Sequence, residues 1–259
     1  MKQFFRSLPA LLGALMLGVL VLASSLAIPA VAQAQTTAQA NAAVAMPETP
    51  ETVLAHHPWE FGPFLQGGLG TENRSDYHFM AAGVKLGKIV MGPALPGFLR
   101  GRFEYDIEVM PYWQAFTPKA GMRETAVRQA DGQYVNELLP HGGGTFTGLS
   151  ITPILLRWDL MPHGHWEPFV QGGGGMIYTT HKFPPDVLVP HGTPGGTSVW
   201  NFTPQFGVGL HYFIAPRRSI YFEANAIHIS SSSLGDKNPG VNASVQFQLG
   251  YSWWWSRRR

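Results

Sequence analysis

Apolar and polar positions alternate through most of the chain, most clearly where Phe103, Tyr105, Ile107 and Val109 interleave with Arg102, Glu104, Asp106 and Glu108. Successive side chains of a strand point to opposite faces, so these two sets occupy opposite sides of a sheet. The last segment repeats the pattern, with Val245, Phe247, Leu249, Tyr251 and Trp253 set against Gln246, Gln248, Gly250 and Ser252. Eight segments carry this alternation or a strand-like composition: Trp59 to Gly70, Tyr77 to Val90, Phe98 to Phe116, Thr145 to Trp158, Trp166 to Thr179, Val199 to Ile214, Ile220 to Ser230 and Ala243 to Trp255. None of the later segments has a helical period. Each is long enough for a tilted membrane strand, which needs about 9 to 11 residues.

The charged row from Arg102 to Glu108 alone also suits a soluble sandwich. The final segment tips the reading, because its large outward residues run into Trp253, Trp254 and Trp255, an aromatic girdle of the kind found at a membrane interface. The expected fold is therefore all-β: an eight-stranded antiparallel transmembrane β-barrel over residues 58–256. Closure removes sheet edges, which lipid cannot satisfy. Arg102, Glu104, Asp106 and Glu108 then become a packed interior network in place of a wide pore.

Composition agrees with a wall half exposed to lipid: 13% charged residues, 12% aromatic residues and 30 glycines. A formal balance of only +2 argues against nucleic acid as a partner. Without cysteine, disulfides, zinc–thiolate sites and thiol nucleophiles drop out. The amino terminus, with Lys2, Arg6, an apolar run from Leu8 to Leu26 and small residues around Ala30 to Ala34, reads as a secretory signal over residues 1–34, an uncleaved anchor being the alternative. Residues 35–57 read as a flexible leader and residues 257–259 as a basic tail.

The connections orient the barrel. Met91 to Gly97, Asp159 to His165 and Ala215 to Ser219 are short and bear Pro or Gly, whereas Thr117 to Gly144, Thr180 to Ser198 and Ser231 to Asn242 are longer. Short periplasmic turns and long outer loops put both termini in the periplasm. The seventh strand then runs outward, and His228 and Ser230 continue its apolar face, where polar side chains against lipid ask for a chemical explanation. A histidine beside a serine hydroxyl can act as its general base. At the outer leaflet this pair lies at the depth of the acyl esters of lipopolysaccharide.

The signal, the eight strands and Ala226-Ile227-His228-Ile229-Ser230 followed by Asn238-Pro239-Gly240 together resemble the outer-membrane lipid A 3-O-deacylases of the PagL type, or acyloxyacyl hydrolases. The resemblance implies an esterase of the Gram-negative outer membrane that acts on lipopolysaccharide without cofactor or metal, with His228 as base and Ser230 as nucleophile. The family pattern has an asparagine after the serine, contributing to the oxyanion hole, where this chain has Ser231. Where the family has a glutamate after the loop glycine, as the acid of its triad, this chain has Asn242. An amide can orient a histidine but lacks the carboxylate's charge. Strict parity also turns Asn242 inward, so its help requires a bulge or a loop start near Gly240. Asp236 is the rival orienting group, and Glu223 a weaker one because parity turns it to the interior.

Other signals have simpler readings. His163 and His165 have metal-ligand spacing but sit in a Pro/Gly turn. Gly172 to Gly175 lies inside a strand, where it permits curvature or close packing and is no phosphate loop. Lys119, Arg123, Arg128, Lys182 and Lys237 stand in outer loops, able to meet lipid A phosphates but equally explained as solvated charge. The rival function is a structural or adhesion-type barrel; acyl transfer is a third. The sequence leaves a homodimer open.

Overall fold

The computed structural model describes residues 47–129, 131–184, 197–231, 234 and 243–256. After a short helix α1 (Pro50–Leu54), the strands are β1 (Trp59–Gly70), β2 (His78–Ala94), β3 (Gly101–Phe116), β4 (Gly121–Arg128), β5 (Tyr134–His141), β6 (Thr145–Leu160), β7 (Trp166–Phe183), β8 (Ser198–Ala215), β9 (Arg218–His228) and β10 (Ala243–Trp255). Eight of them close an antiparallel barrel in the order β1-β10-β9-β8-β7-β6-β3-β2, and β4 and β5 form a separate two-stranded ribbon. That ribbon lies within the connection from Thr117 to Gly144, which the sequence suggested only as a loop. Among the described residues no helix is long and apolar enough to cross a membrane.

The barrel is turned inside out relative to a soluble protein. Lys85, Arg102, Glu104, Asp106, Glu108, Arg157, Glu167 and Glu223 are fully buried, while Phe206, Phe222, Phe247 and Leu249 are exposed. Arg157 organises the interior: its Nη1 lies 2.9 Å from Glu60 and 3.6 Å from Glu104, and its Nη2 lies 2.8 Å from Asp106. Lys85 approaches Glu60 at 3.3 Å, and Arg102 pairs with Glu167. Charges taken out of water persist only with such partners. The expected row Arg102 to Glu108 is thus part of a larger network drawn from several strands.

The interior is not polar throughout. Toward the outer end Phe79, Trp113 and Phe146 pack edge to face on Phe183, with Phe146 and Phe183 centroids 5.3 Å apart. Strict alternation also breaks, because Pro111 and Tyr112 both face outward at a register shift between Met110 and Trp113 in the pairing of β3 with β6. A second shift at Ile151 to Ile154 does the same around Pro153. Bulges of this kind bend the wall and reset parity.

The end of the expected flexible leader is ordered. Thr49 caps α1 by accepting from the Thr52 amide, and Val53 and Leu54 are buried against Ile89, Phe213 and Trp254 at the periplasmic mouth. Glu48 pairs with Arg217 of the β8–β9 turn. Trp254 therefore leaves the expected girdle; it points inward and donates to Ser219 Oγ at 3.0 Å, while Trp253 stacks on Phe61 outside. Parity decides this, since neighbours on a regular stretch of strand point to opposite faces.

Candidate functional site

β9 alternates outward Ile220, Phe222, Ala224, Ala226 and His228 with fully buried Tyr221, Glu223, Asn225 and Ile227. Beyond β9 the chain stays extended for one more bridge, in which the Phe202 amide donates to the Ser230 carbonyl at 2.7 Å and the Ser230 amide returns the bond at 3.0 Å. His228 and Ser230 thus hold the same outward parity, with Cα atoms about 7 Å apart at the usual strand rise. Both are half-buried.

The pair stands on a fixed wall. His228 sits opposite Ala243 of β10, and the Ala243 carbonyl accepts from the Thr71 amide at 3.0 Å and from Thr71 Oγ1 at 3.1 Å. Behind it, Ile227 and Ile229 are buried in the apolar outer end of the barrel. Beside His228 on the outer surface lies a shallow hollow of about 350 Å³, lined by Pro204, Phe206, Ala226 and Ala243 and reaching Gly173. His228 and Gln205 are the polar residues of its lining, and the rest of it is apolar. A mostly apolar depression with a proton-accepting imidazole at its side suits a greasy substrate that carries a polar reacting bond.

Ser231, expected near the oxyanion, is fully buried and has the opposite parity to Ser230. Asn242, Asp236 and Lys237 lie outside the described residues. Glu223 faces the interior as parity predicted, accepting from Gln171 at 2.7 Å. His163 and His165 belong to a turn: His163 exchanges backbone bonds with Trp166, and His165 Nδ1 donates to the Phe213 carbonyl at 2.6 Å. Arg123 is engaged with Asp76 at 3.4 Å, and His141 donates to the same carboxylate at 2.8 Å. Lys119 and Lys182 are exposed, and the Arg128 side chain is outside the described set.

The hollow is the part that sequence reasoning missed. Pro204 and Phe206 arrive from β8, far from His228 along the chain, and only the register that sets Phe206 opposite Ala226 joins them. The available signal was the small pair Ala224 and Ala226 on an otherwise bulky outward face. Inside the barrel, Glu60, Glu104 and Asp106 bring carboxylate oxygens within 4.8 Å of one another, a spacing that suits a metal. Arg157 stands among them, so a guanidinium supplies the cation there.

The family model for PagL, lipid A 3-O-deacylase, matches residues 100–252, a stretch from β3 to β10 that includes His228 and Ser230. The chain belongs to the PagL family. It is accordingly a lipid A deacylase, a hydrolase of the outer membrane whose substrate is the lipid A of lipopolysaccharide. Among solved structures it is similar to the outer membrane enzyme PagL (14% identity, 74% of this chain and 97% of the other, TM-score 0.46). It is also similar to Neisserial surface protein A (10% identity, 76% and 96%, TM-score 0.43) and to the outer membrane protein OprG from Pseudomonas aeruginosa (11% identity, 78% and 97%, TM-score 0.36). No curated protein matches by sequence.

Proposed function

We propose that this PagL-family enzyme cleaves the 3-O acyl ester of lipid A with Ser230 as nucleophile and His228 as general base. The observation that carries the reading is the outward projection of both side chains from the outer end of β9, beside an apolar hollow. Ser230 Oγ attacks the ester carbonyl carbon as its proton passes to His228. The tetrahedral oxyanion collapses, the sugar oxygen leaves, and His228 returns the proton to it. Water, deprotonated by His228, then attacks the acyl-serine, releasing the fatty acid and restoring Ser230. A backbone amide at Ser231 is the candidate oxyanion donor, since a backbone donor is independent of where the side chain points. Asn242 is the candidate group that orients the imidazole, with Asp236 as the alternative.

Mass spectrometry of lipid A from cells expressing wild type beside Ser230→Ala tests the mechanism. The expected result is loss of one hydroxyacyl mass in wild type only, with the variant slower by a factor on the order of 10⁴ or more. Equal deacylation by both, with heat-modifiable barrels, removes Ser230 from the reaction.

A further inference from the structure

The wall that carries His228 and Ser230 lacks a ladder bond at the histidine. The register that sets Gln205 opposite Ile227 runs on unshifted to the bridge between Phe202 and Ser230, so Thr203 faces Ile229 and Pro204 faces His228. Phe202 and Ser230 exchange both backbone bonds, and two residues along the same pairing calls for an amide from position 204 to the His228 carbonyl. Proline has no amide to give. His228 is thus tied to β8 more loosely than Ser230 is, and the support for it has to come from within the barrel.

The inward side of this wall is polar. Ile227 and Ile229, which flank His228 on β9, line an interior cavity of about 20 Å³ together with Thr203 and Gln205 of β8, Gln66 of β1 and Gln246 of β10. All of them are buried, and Gln205 and Ile227 also border the outer hollow beside His228. Along one side runs a relay: Gln66 Nε2 donates to Gln246 Oε1 at 2.8 Å, Gln246 Nε2 to Ser244 Oγ at 2.8 Å, and Ser244 Oγ to the Ile227 carbonyl at 3.3 Å. It ends on the peptide that leads into His228. Three buried atoms of the lining, Gln66 Oε1, Thr203 Oγ1 and Gln205 Nε2, meet no hydrogen-bonding partner among the described residues.

Resting for its catalytic part on the esterase reading, we propose that one buried water, held by Gln66, Thr203 and Gln205, sits behind His228 and Ser230 and that these three side chains are positioning residues for the pair. An acceptor, a donor and a hydroxyl that can be either are what a water completes. It accepts from Gln205, donates to Gln66 and bonds Thr203 in whichever sense remains. One water needs about 10–15 Å³ on this scale and two to four polar partners. None of the residues lining the cavity is charged, so a neutral ligand fits and an ion does not. The water joins β8 to Gln66, whose relay reaches Ile227, and so replaces from inside the tie that Pro204 removes.

Two readouts test this on the full-length protein. In crystals that resolve ordered water, density within hydrogen-bond reach of Gln66, Thr203 and Gln205 is expected in wild type and is expected to be lost in Thr203→Val, which keeps the shape of the side chain without its hydroxyl. In detergent micelles Thr203→Val should lower kcat for lipid A deacylation roughly tenfold at unchanged KM, because small displacements of reacting atoms cost rate, and Thr203→Ser should restore most of it. A hydroxyl bonded to nothing predicts the reverse: Thr203→Val would raise the urea midpoint by removing a costly buried polar group and would leave kcat alone. That result, or a dry cavity in wild-type crystals, overturns the proposal. Gln205→Met, with the same expectations, replaces Thr203→Val if that variant gives no heat-modifiable barrel. Density for the water with kcat unmoved in the folded variant overturns the positioning role. No release of any acyl chain by folded wild type overturns the esterase reading and the positioning role with it, and the water then stands or falls on the density.

Discussion

At the scale of single residues, the site depends on which side chains a strand turns toward lipid. His228 and Ser230 were legible because period two fixes their common face whatever the barrel's details. Their supporting group was less legible: Asp236 precedes and Asn242 follows Asn238-Pro239-Gly240, a turn-forming sequence that no periodicity constrains. A carboxylate stabilises an imidazolium that an amide only orients. Asn242→Asp is accordingly expected to raise kcat roughly tenfold if the amide is the orienting group, read as initial rates of fatty acid release. Inside the barrel, Arg157 serves Glu60, Glu104 and Asp106 at once. Its replacement by Ala should destabilise the barrel by about 3–5 kcal/mol, because buried carboxylates lose their cation. Urea titration of folded protein in micelles measures this.

At the scale of elements, short stretches depart from the alternation in informative ways. Segment α1 has only five residues, too few to show a helical period, and it is held by what it buries. Val53 and Leu54 close the periplasmic mouth against Ile89, Phe213 and Trp254. Leu54→Ala should cost about 2–5 kcal/mol through the cavity it leaves, seen as a lower urea midpoint with an unchanged barrel spectrum. The β4–β5 ribbon lay hidden in a connection rich in turn residues, and its pairing required a partner strand, not a local signal. In β7, Gly173 and Gly175 face inward where a Cβ would meet the Ile154 and Ile151 carbonyls at 2.1 and 2.4 Å, so close strand packing excludes larger residues there. Their outward neighbour Gly174 meets nothing within 4 Å and leaves the lipid face low beside Pro204.

At the scale of the whole molecule, a barrel of eight strands has room inside for side chains and little else. Ion pairs fill its middle, aromatic rings its outer end and α1 its periplasmic mouth. The protein should therefore show no steady conductance in planar bilayers under conditions where a porin conducts; open-channel steps would contradict the filled interior. By itself the sequence determined the class of fold, the eight barrel strands and the outward parity of His228 and Ser230, because all of these follow from a two-residue period. Tertiary structure alone decided which strands became neighbours, and with them the hollow beside His228. It also decided which carboxylates Arg157 meets inside the barrel. Each depends on register between segments distant in the chain, and where both faces of a strand are apolar, as around Phe79 to Ala82, alternation carries no information about which side is inside.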